Sequence, residues 1–195
     1  MATANEFTRV IDGVEAPAPG DWVFDTVHSN IMFVARYAML TKVRGRFNTF
    51  EGTIHVAEDP EDSWVEVTID AASINTDNEK RDEHLRSGDF LDLEHEPSIT
   101  YRSTKVELTG GMTLRVTGDL TIRGVTKEVT FDAEYAGLAV GVDGKTRVAF
   151  AAGLEIDRED FNVSWNMAME TGGVLVGKRA QIELEVQAVS EEKVV

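Results

Sequence analysis

The sequence contains no cysteine, and this absence removes several kinds of chemistry at once. A chain without thiols forms no disulfide, offers no thiolate to a metal and has no cysteine nucleophile. No stretch approaches the roughly 20 consecutive apolar residues of a membrane-spanning helix. The N-terminal segment has neither a basic region nor a continuous apolar run, so it lacks the pattern of a secretory signal. The absence of cysteine does not fix the compartment, but the other two absences lead us to expect a cytoplasmic protein without stable membrane insertion.

Basic residues are also scarce. Acidic residues outnumber them 35 to 19, which gives a formal net charge of −16. Binding to nucleic acid or to an anionic membrane needs a positive face, so we expect neither as the primary partner. The one local exception is the basic segment at 42–46, KVRGR.

Motifs that hold nucleotides, activate a serine or bind a metal are missing as well. No P-loop, GxGxxG or GxSxG sequence occurs, and the four histidines have no HxH, HxxxH or HExxH spacing. His84 and His95 could meet around one surface segment with Glu83, Glu94 or Glu96, but solvated side chains beside acidic loops are far commoner. We therefore expect neither a metal nor an organic cofactor.

What the sequence does have is alternation of apolar and polar residues, which indicates antiparallel strands with one side buried. Glycine-containing turns separate several of the runs. About eight or nine long strands, joined mostly by hairpins, predict an all-β fold: an extended antiparallel β-barrel of about eight strands, since closure removes unpaired edges. The predicted barrel domain covers 21–190, after a polar arm at 1–20 and before a tail at 191–195.

One segment, 75–97, breaks the alternation. Thr76 and Glu79 fit a capping box and Gly88 fits a helix stop, which predicts a short helix between them. This helix is polar nearly all round and should lie on the surface. Phe90 and two leucines follow it and can hold its end against the barrel. We expect the helix to cover one end of the barrel as a partial lid.

The apolar strand faces carry many large side chains and allow two interpretations. A packed core is the default for such a face. A barrel of about eight strands can also be just wide enough to hold one slender ligand. Methionines and small residues within the strands would suit an adjustable apolar bore. The pattern alone leaves both interpretations open.

Several consecutive segments resemble the YceI-like, polyisoprenoid-binding protein family. They include DTVHSNIMFVARY, RDEHLRSGDFLD, VTGDLTIRGVTKEVTF and DREDFNVSWN, and the resemblance extends from about Trp22 to Val189. It implies a lipocalin-like barrel with a long apolar tunnel that carries an isoprenoid chain or another long amphiphile. It maps the residues of the family onto His28, Ser29, Phe33, Gly45, Phe47 and Phe50, and later onto Asp160, Phe161, Trp165, Asn166, Gly173 and Gly177.

One departure from the family concerns the head group of a ligand. Many relatives have Arg-His where this chain has Arg36-Tyr37, so a phenol replaces a titrating donor. Alternation places Phe33, Ala35 and Tyr37 on one face of their strand. We therefore expect Tyr37 in the tunnel and Arg36 on the opposite side.

The leading prediction is a non-catalytic protein that binds a polyprenyl lipid, an isoprenoid quinone or a similar amphiphile for transport, storage or sequestration. One alternative is an enzyme that acts on a tunnel-bound lipid; another is a packed barrel whose exterior binds a protein, such as a second copy in a homodimer. We expect His28 to fix the entry of its strand by hydrogen bonding rather than to react. The predicted ligand-binding residues are Phe33, Ala35, Tyr37, Phe47, Phe50, Phe90, Phe131, Phe150, Phe161 and Trp165, with His28, Arg36 and His84 as polar candidates.

Overall fold

The computed structural model describes residues 7–11, 13–170 and 172–190, which form thirteen strands and one short α-helix. The first six residues of the predicted arm and the predicted tail at 191–195 lie outside the described residues. In chain order the elements are β1 (Thr8–Ile11), β2 (Val14–Pro17), β3 (Gly20–Phe24), β4 (Asn30–Tyr37), β5 (Thr41–Phe47), β6 (Phe50–Val56), β7 (Trp64–Asp70), β8 (Ile74–Asn75), α1 (Glu79–Arg86), β9 (Ser98–Gly110), β10 (Thr113–Ile122), β11 (Val125–Val140), β12 (Thr146–Asp157) and β13 (Val176–Ser190).

The barrel closes because β13 has neighbours on both edges. One edge pairs with β12, and the other pairs with β3 and β4, which follow each other along it. β5 pairs with β4 and β6 pairs with β3, so β3–β4 and β5–β6 each behave as one long, bent wall strand. With β7, β9, β10, β11, β12 and β13 they make a closed antiparallel barrel of eight strands. The predicted extended barrel is therefore confirmed.

The helix α1 lies where β5 has only the two-residue β8 as its second neighbour. Its N-cap is Asn78, whose side chain accepts a hydrogen bond from the Arg81 N–H at 3.1 Å. The capping box predicted at Thr76 is wrong, because Thr76 instead donates its N–H to the buried Asp82 carboxylate at 3.0 Å. Among the described residues, no helix has both the length and the apolarity to cross a membrane.

The described part of the predicted polar arm is a β-hairpin rather than a free segment. β1 pairs with β2, and Ala16 is buried. Arg9 donates to the carbonyls of Ala57 and Glu58, and the Tyr135 hydroxyl donates to the Glu15 carbonyl at 2.8 Å. These bonds hold the hairpin on the barrel, while the domain boundaries at 20 and 190 stay predictions.

Candidate functional site

The barrel contains an elongated apolar cavity of about 330 Å³, which we call the bore. It takes side chains from nearly every wall strand and from the segment that includes α1. Its lining is apolar except at a few positions, whose side chains are Ser63, Trp64, Tyr101 and Arg158. This volume lies at the lower end of the range for sites that hold small molecules, which fits a slender ligand.

The strand period explains why the lining is apolar. On β10, the alternate residues Leu114, Val116, Leu120 and Ile122 all line the bore. Side chains two apart point to the same face of a strand, and the eight steps from Leu114 to Ile122 span about 26 Å. The bore therefore has the length to accept an extended hydrocarbon chain.

Most of the apolar residues that were predicted to bind the ligand lie on the bore. The structure places on its lining Phe33, Ala35, Phe47, Phe90, Phe131, Phe150 and Phe161. Phe50 is buried in the core cluster that includes Trp22 and Phe24, beside the bore rather than on its lining. Trp165 packs on Phe90, with ring centroids 5.3 Å apart, and supports the lining from behind.

Tyr37 and Arg36 lie away from the bore. Tyr37 is the last residue of β4, and 46% of its surface is exposed. The alternation that directs Phe33 and Ala35 inward ends at the turn that follows, so Tyr37 projects past the end of the wall. The expectation that Tyr37 faces the tunnel is therefore wrong. Arg36 stands opposite Lys42 on the exposed surface of β5.

His28 belongs to the turn between β3 and β4, which we call the β3–β4 corner (Asp25 to Ser29). His28 Nδ1 lies 2.9 Å from the Asp25 carboxylate, which also accepts from Arg147 Nε at 2.9 Å. Ser29 donates to the Asp25 and Gln187 carbonyls and accepts from the Gln187 N–H. Burial would raise the pKa of Asp25, but the bonds from His28 and Arg147 outweigh it and lower that pKa. Here His28 fixes the entry of β4 and does not reach the bore.

His84 is the polar candidate that comes nearest to the lining. Its ring meets the rings of Phe90 and Trp165 edge-on, with centroids 5.0 and 4.7 Å away. Its Nε2 lies 2.8 Å from Asp89, and His95 pairs separately with Asp92. In the part of the chain that the structure describes, no three His, Asp or Glu side chains come together in a group that could hold a metal.

Tyr101 is a polar lining residue that sequence reasoning missed. Its ring packs on Phe131, with centroids 5.6 Å apart, and its hydroxyl lies over Gly118, where an added Cβ would approach it to 2.6 Å. Gly118 falls between Val116 and Leu120, halfway along the β10 row. The hydroxyl is buried and finds no hydrogen-bond partner among the described residues. Burial, with a smaller contribution from Asp119, raises the pKa of Tyr101 well above its ordinary value.

Arg158 is a second missed residue, at the α1 end of the bore. It is 7% exposed and forms no ion pair with the carboxylates of the described residues. Its guanidinium donates instead to the carbonyls of Gly177, Val163 and Trp165. Burial lowers its pKa below the ordinary value, although Glu159 and Asp157 oppose that effect. Arg158 therefore ties the segment after β12 to the start of β13.

The fold and the bore together define a class: a closed antiparallel barrel whose apolar interior is open enough to hold one slender hydrophobic molecule. Within that class the chain belongs to the YceI-like family, because the model of the YceI-like domain matches residues 22–188. This range includes every bore residue named above.

Individual relatives agree with this assignment. A UPF0312 protein of Staphylococcus aureus strain N315 is 37% identical over 172 residues, covering 86% of this chain and 96% of the relative. The YceI protein of Campylobacter jejuni shares 31% identity and a TM-score of 0.69, covering 80% of this chain and 90% of that protein. Burkholderia cenocepacia BcnA shares 25% identity and a TM-score of 0.75, covering 85% of this chain and 99% of that protein.

A more distant neighbour shares the fold alone. It is a polyisoprenoid binding domain from Saccharophagus degradans, implicated in plant cell wall breakdown, with 14% identity and a TM-score of 0.69. The alignment covers 89% of this chain and all of that domain.

Proposed function

We propose that the protein is a non-catalytic carrier that holds one long-chain amphiphile in the bore, with an isoprenoid such as a polyprenyl lipid or an isoprenoid quinone as the leading candidate. The observation that carries this proposal is the continuous apolar lining of the bore. Each CH₂ group moved from water into such a lining contributes about 0.8 kcal/mol before the costs of association. A chain of many carbons is therefore held without any specific chemistry. The family assignment and the polyisoprenoid-binding name of the Saccharophagus degradans domain agree with this class of ligand.

The geometry favours a carrier over an enzyme. An enzyme needs its reacting groups within hydrogen-bonding reach of each other and of the substrate. Among the described residues, no hydrogen bond joins any two of His28, Arg36, Tyr37 and His84, the candidates for such a role. None of the four is on the lining of the bore. A fully packed barrel is disfavoured by the cavity itself.

Organic extraction of the purified protein, followed by mass spectrometry, is the direct test. We expect one lipid per protein molecule, with a long hydrocarbon chain. A protein that is empty when purified, and that takes up no isoprenoid quinone, polyprenyl phosphate or fatty amide, would contradict the proposal. The cytoplasmic location, the transport or storage role and the homodimer stay predictions.

Two substitutions on neighbouring residues of β12 test whether the ligand binds in the bore or on the outer face of the barrel. Ala152 lines the bore and pairs with Ala133 and Leu184, whereas Ala151 pairs with Glu134 and Glu185 on the outer face. Ala152→Phe fills the bore and should weaken lipid binding at least tenfold, at a stability cost of about 1–3 kcal/mol for overpacking. Ala151→Phe, its matched control, should bind normally. Fluorescence titration with a fatty-acid probe measures both, and equal affinities would show that the ligand lies elsewhere.

A further inference from the structure

One end of the barrel exposes a group of large apolar side chains. They come from the end of β4 and the turn after it, which follow the bore residue Ala35, and from the segment that precedes the bore residue Val176. We call this set the apolar rim: Tyr37 (46% exposed), Met39 (53%), Leu40 (84%), Met167 (55%) and Val174 (37%). Grouped apolar exposure of this kind marks an interaction site.

Hydrogen bonds join the two segments of the rim into one surface. The Ala38 N–H donates to the Leu175 carbonyl at 2.6 Å, and the Leu175 N–H donates to the Met167 carbonyl at 2.9 Å. The Asn166 side chain accepts from the Val176 N–H and donates to the Val176 carbonyl. The rim is therefore held in place relative to the bore.

The β4–β5 turn keeps its apolar residues at a conformational cost. Its two central residues, Ala38 and Met39, have φ angles of 51° and 58°, and the Leu40 N–H closes the turn on the Tyr37 carbonyl. This left-handed region favours glycine and asparagine and strains other residues. A residue held in a strained conformation points to a function for its side chain.

Basic side chains flank the rim on the outer face of the barrel. Lys42, Arg44 and Arg46 alternate along β5 and are exposed, and Arg36 stands opposite Lys42. Of these four, only Arg46 has a carboxylate partner, Asp77, among the described residues. We call Arg36, Lys42 and Arg44 the basic stripe. The acidic groups on this side include Glu170 in the rim segment, Glu159, which pairs with Lys178, and the exposed Glu79 and Glu83 of α1.

The opposite end of the barrel also has exposed valines, and the carboxylates beside them are paired. Val27, Val140 and Val142 are exposed there. The charged groups beside them include Asp25 and Asp143, both bound to Arg147. The two ends are therefore alike in apolar exposure, and they differ because the rim end carries the three side chains of the basic stripe, which have no carboxylate partner among the described residues.

We propose that the apolar rim and the basic stripe dock the protein reversibly on an anionic lipid bilayer, with Met39 and Leu40 entering the headgroup region. Apolar side chains and a few cations act together in this way at membrane interfaces. The part of the net charge of −16 that lies more than a Debye length from the bilayer, about 8–10 Å, is screened and does not oppose docking. The purpose of docking, to pass a lipid between membrane and bore, rests on the proposed function, whereas the docking itself does not.

Co-sedimentation with vesicles tests the docking. The full chain should bind vesicles of phosphatidylcholine mixed with phosphatidylglycerol, and this binding should fall as salt is raised. Met39→Ser with Leu40→Ser should lower the partition coefficient tenfold or more. Lys42→Gln with Arg44→Gln should lower it about 25-fold, at about fivefold for each charge. Val142→Ser, at the opposite end of the barrel, is the matched control and should not change it.

A further variant shows whether weaker vesicle binding could result from misfolding. Ala38→Asn with Met39→Gly relieves the strained turn, so it should melt at a higher temperature and yet bind vesicles more weakly. Equal binding to vesicles of phosphatidylcholine alone, unchanged binding of the rim and stripe variants, or an equal loss with Val142→Ser would each overturn the proposal. Lipid extraction distinguishes failure of the docking proposal from failure of the carrier proposal. A protein that contains lipid but does not bind vesicles would contradict only the docking. A protein that binds vesicles but contains no lipid and takes none up would contradict only the carrier function.

Discussion

At the scale of single residues, the Tyr101 hydroxyl is the group that we expect to influence ligand selectivity most. A buried hydroxyl without a partner costs about 1–3 kcal/mol, so a ligand that brings an acceptor to it gains affinity. Because burial raises the pKa of Tyr101, the phenol keeps its proton at physiological pH and acts as a donor. A carbonyl or amide oxygen placed halfway along the bore would meet this donor.

Tyr101→Phe tests this selectivity and should leave the packing against Phe131 intact. We expect the wild-type protein to prefer a fatty amide over an alkane of equal length, because only the amide offers an acceptor. The variant should lose about three- to tenfold of that preference, which corresponds to one neutral hydrogen bond. Competition against a bound fluorescent fatty acid measures both affinities. An unchanged preference would show that the hydroxyl does not contact the ligand.

Among the predicted ligand-binding residues, the sequence predicted the aromatic ones better than the polar ones. Alternation alone directs Phe33, Phe131 and Phe150 inward, because each lies within a long strand. Tyr101 also follows this rule, but its importance depends on Gly118 of the neighbouring strand, which leaves room for the hydroxyl. The contact between Tyr101 and Gly118 can be recognised only once the register of the two strands is known. The prediction that Tyr37 faces the tunnel was wrong because alternation does not show where a strand ends its part of the barrel wall.

At the scale of elements, the β3–β4 corner joins two strands that share β13 as a partner. Asp25 contributes most of the connections, since its N–H donates to the Gln187 carbonyl while its carboxylate accepts from Val27, His28 and Arg147. The corner therefore lets one wall strand bend without losing its hydrogen bonds to β13. Sequence patterns could not show this, because Arg147 and Gln187 are far away in the chain.

The Asp25 carboxylate makes the corner sensitive to acid. Its pKa in the folded protein lies below the ordinary value of 3.8, so it stabilises the fold above that value and the stabilisation is lost as the pH falls through the folded pKa. Asp25→Asn should therefore lower the free energy of unfolding by a constant amount near neutral pH. The gap between variant and wild type should narrow progressively below pH 3.8. Urea titrations over a pH series measure it, and a gap that persists at lower pH would contradict this account.

The lid helix shows how local signals compete. The sequence offered Thr76 as a cap, but the Asp82 carboxylate binds Thr76 from within the helix, and Asn78 takes the capping position. Both residues suit an N-cap by propensity. The choice between them depends on which one the barrel buries, and Thr76 is 4% exposed.

At the scale of the whole molecule, the closed barrel was predictable because alternation, hairpin turns and long strands all indicate the same architecture. The number of wall strands was also predictable. The division of two of them at the β3–β4 corner and at the β5–β6 junction was not, since each division depends on contacts with β13 or β7. The placement of β1 and β2 depends on the carbonyls of Ala57 and Glu58 and on the hydroxyl of Tyr135, which are far away in the chain, and it was missed for the same reason.

The position of β13 has a consequence for biosynthesis. β13 is the shared partner of β3, β4 and β12, so a nascent chain that has not yet reached Val176 leaves all three of these strands with an unpaired edge. Contacts this distant in sequence make folding slow, on a timescale of milliseconds to seconds, and expose unpaired edges until closure. A chain that ends before Val176 should show no cooperative melting transition by circular dichroism, and a sharp transition would contradict this. The ribosome thus holds an open sheet until β13 emerges, and a lipid present at that moment would meet an interior that is not yet enclosed.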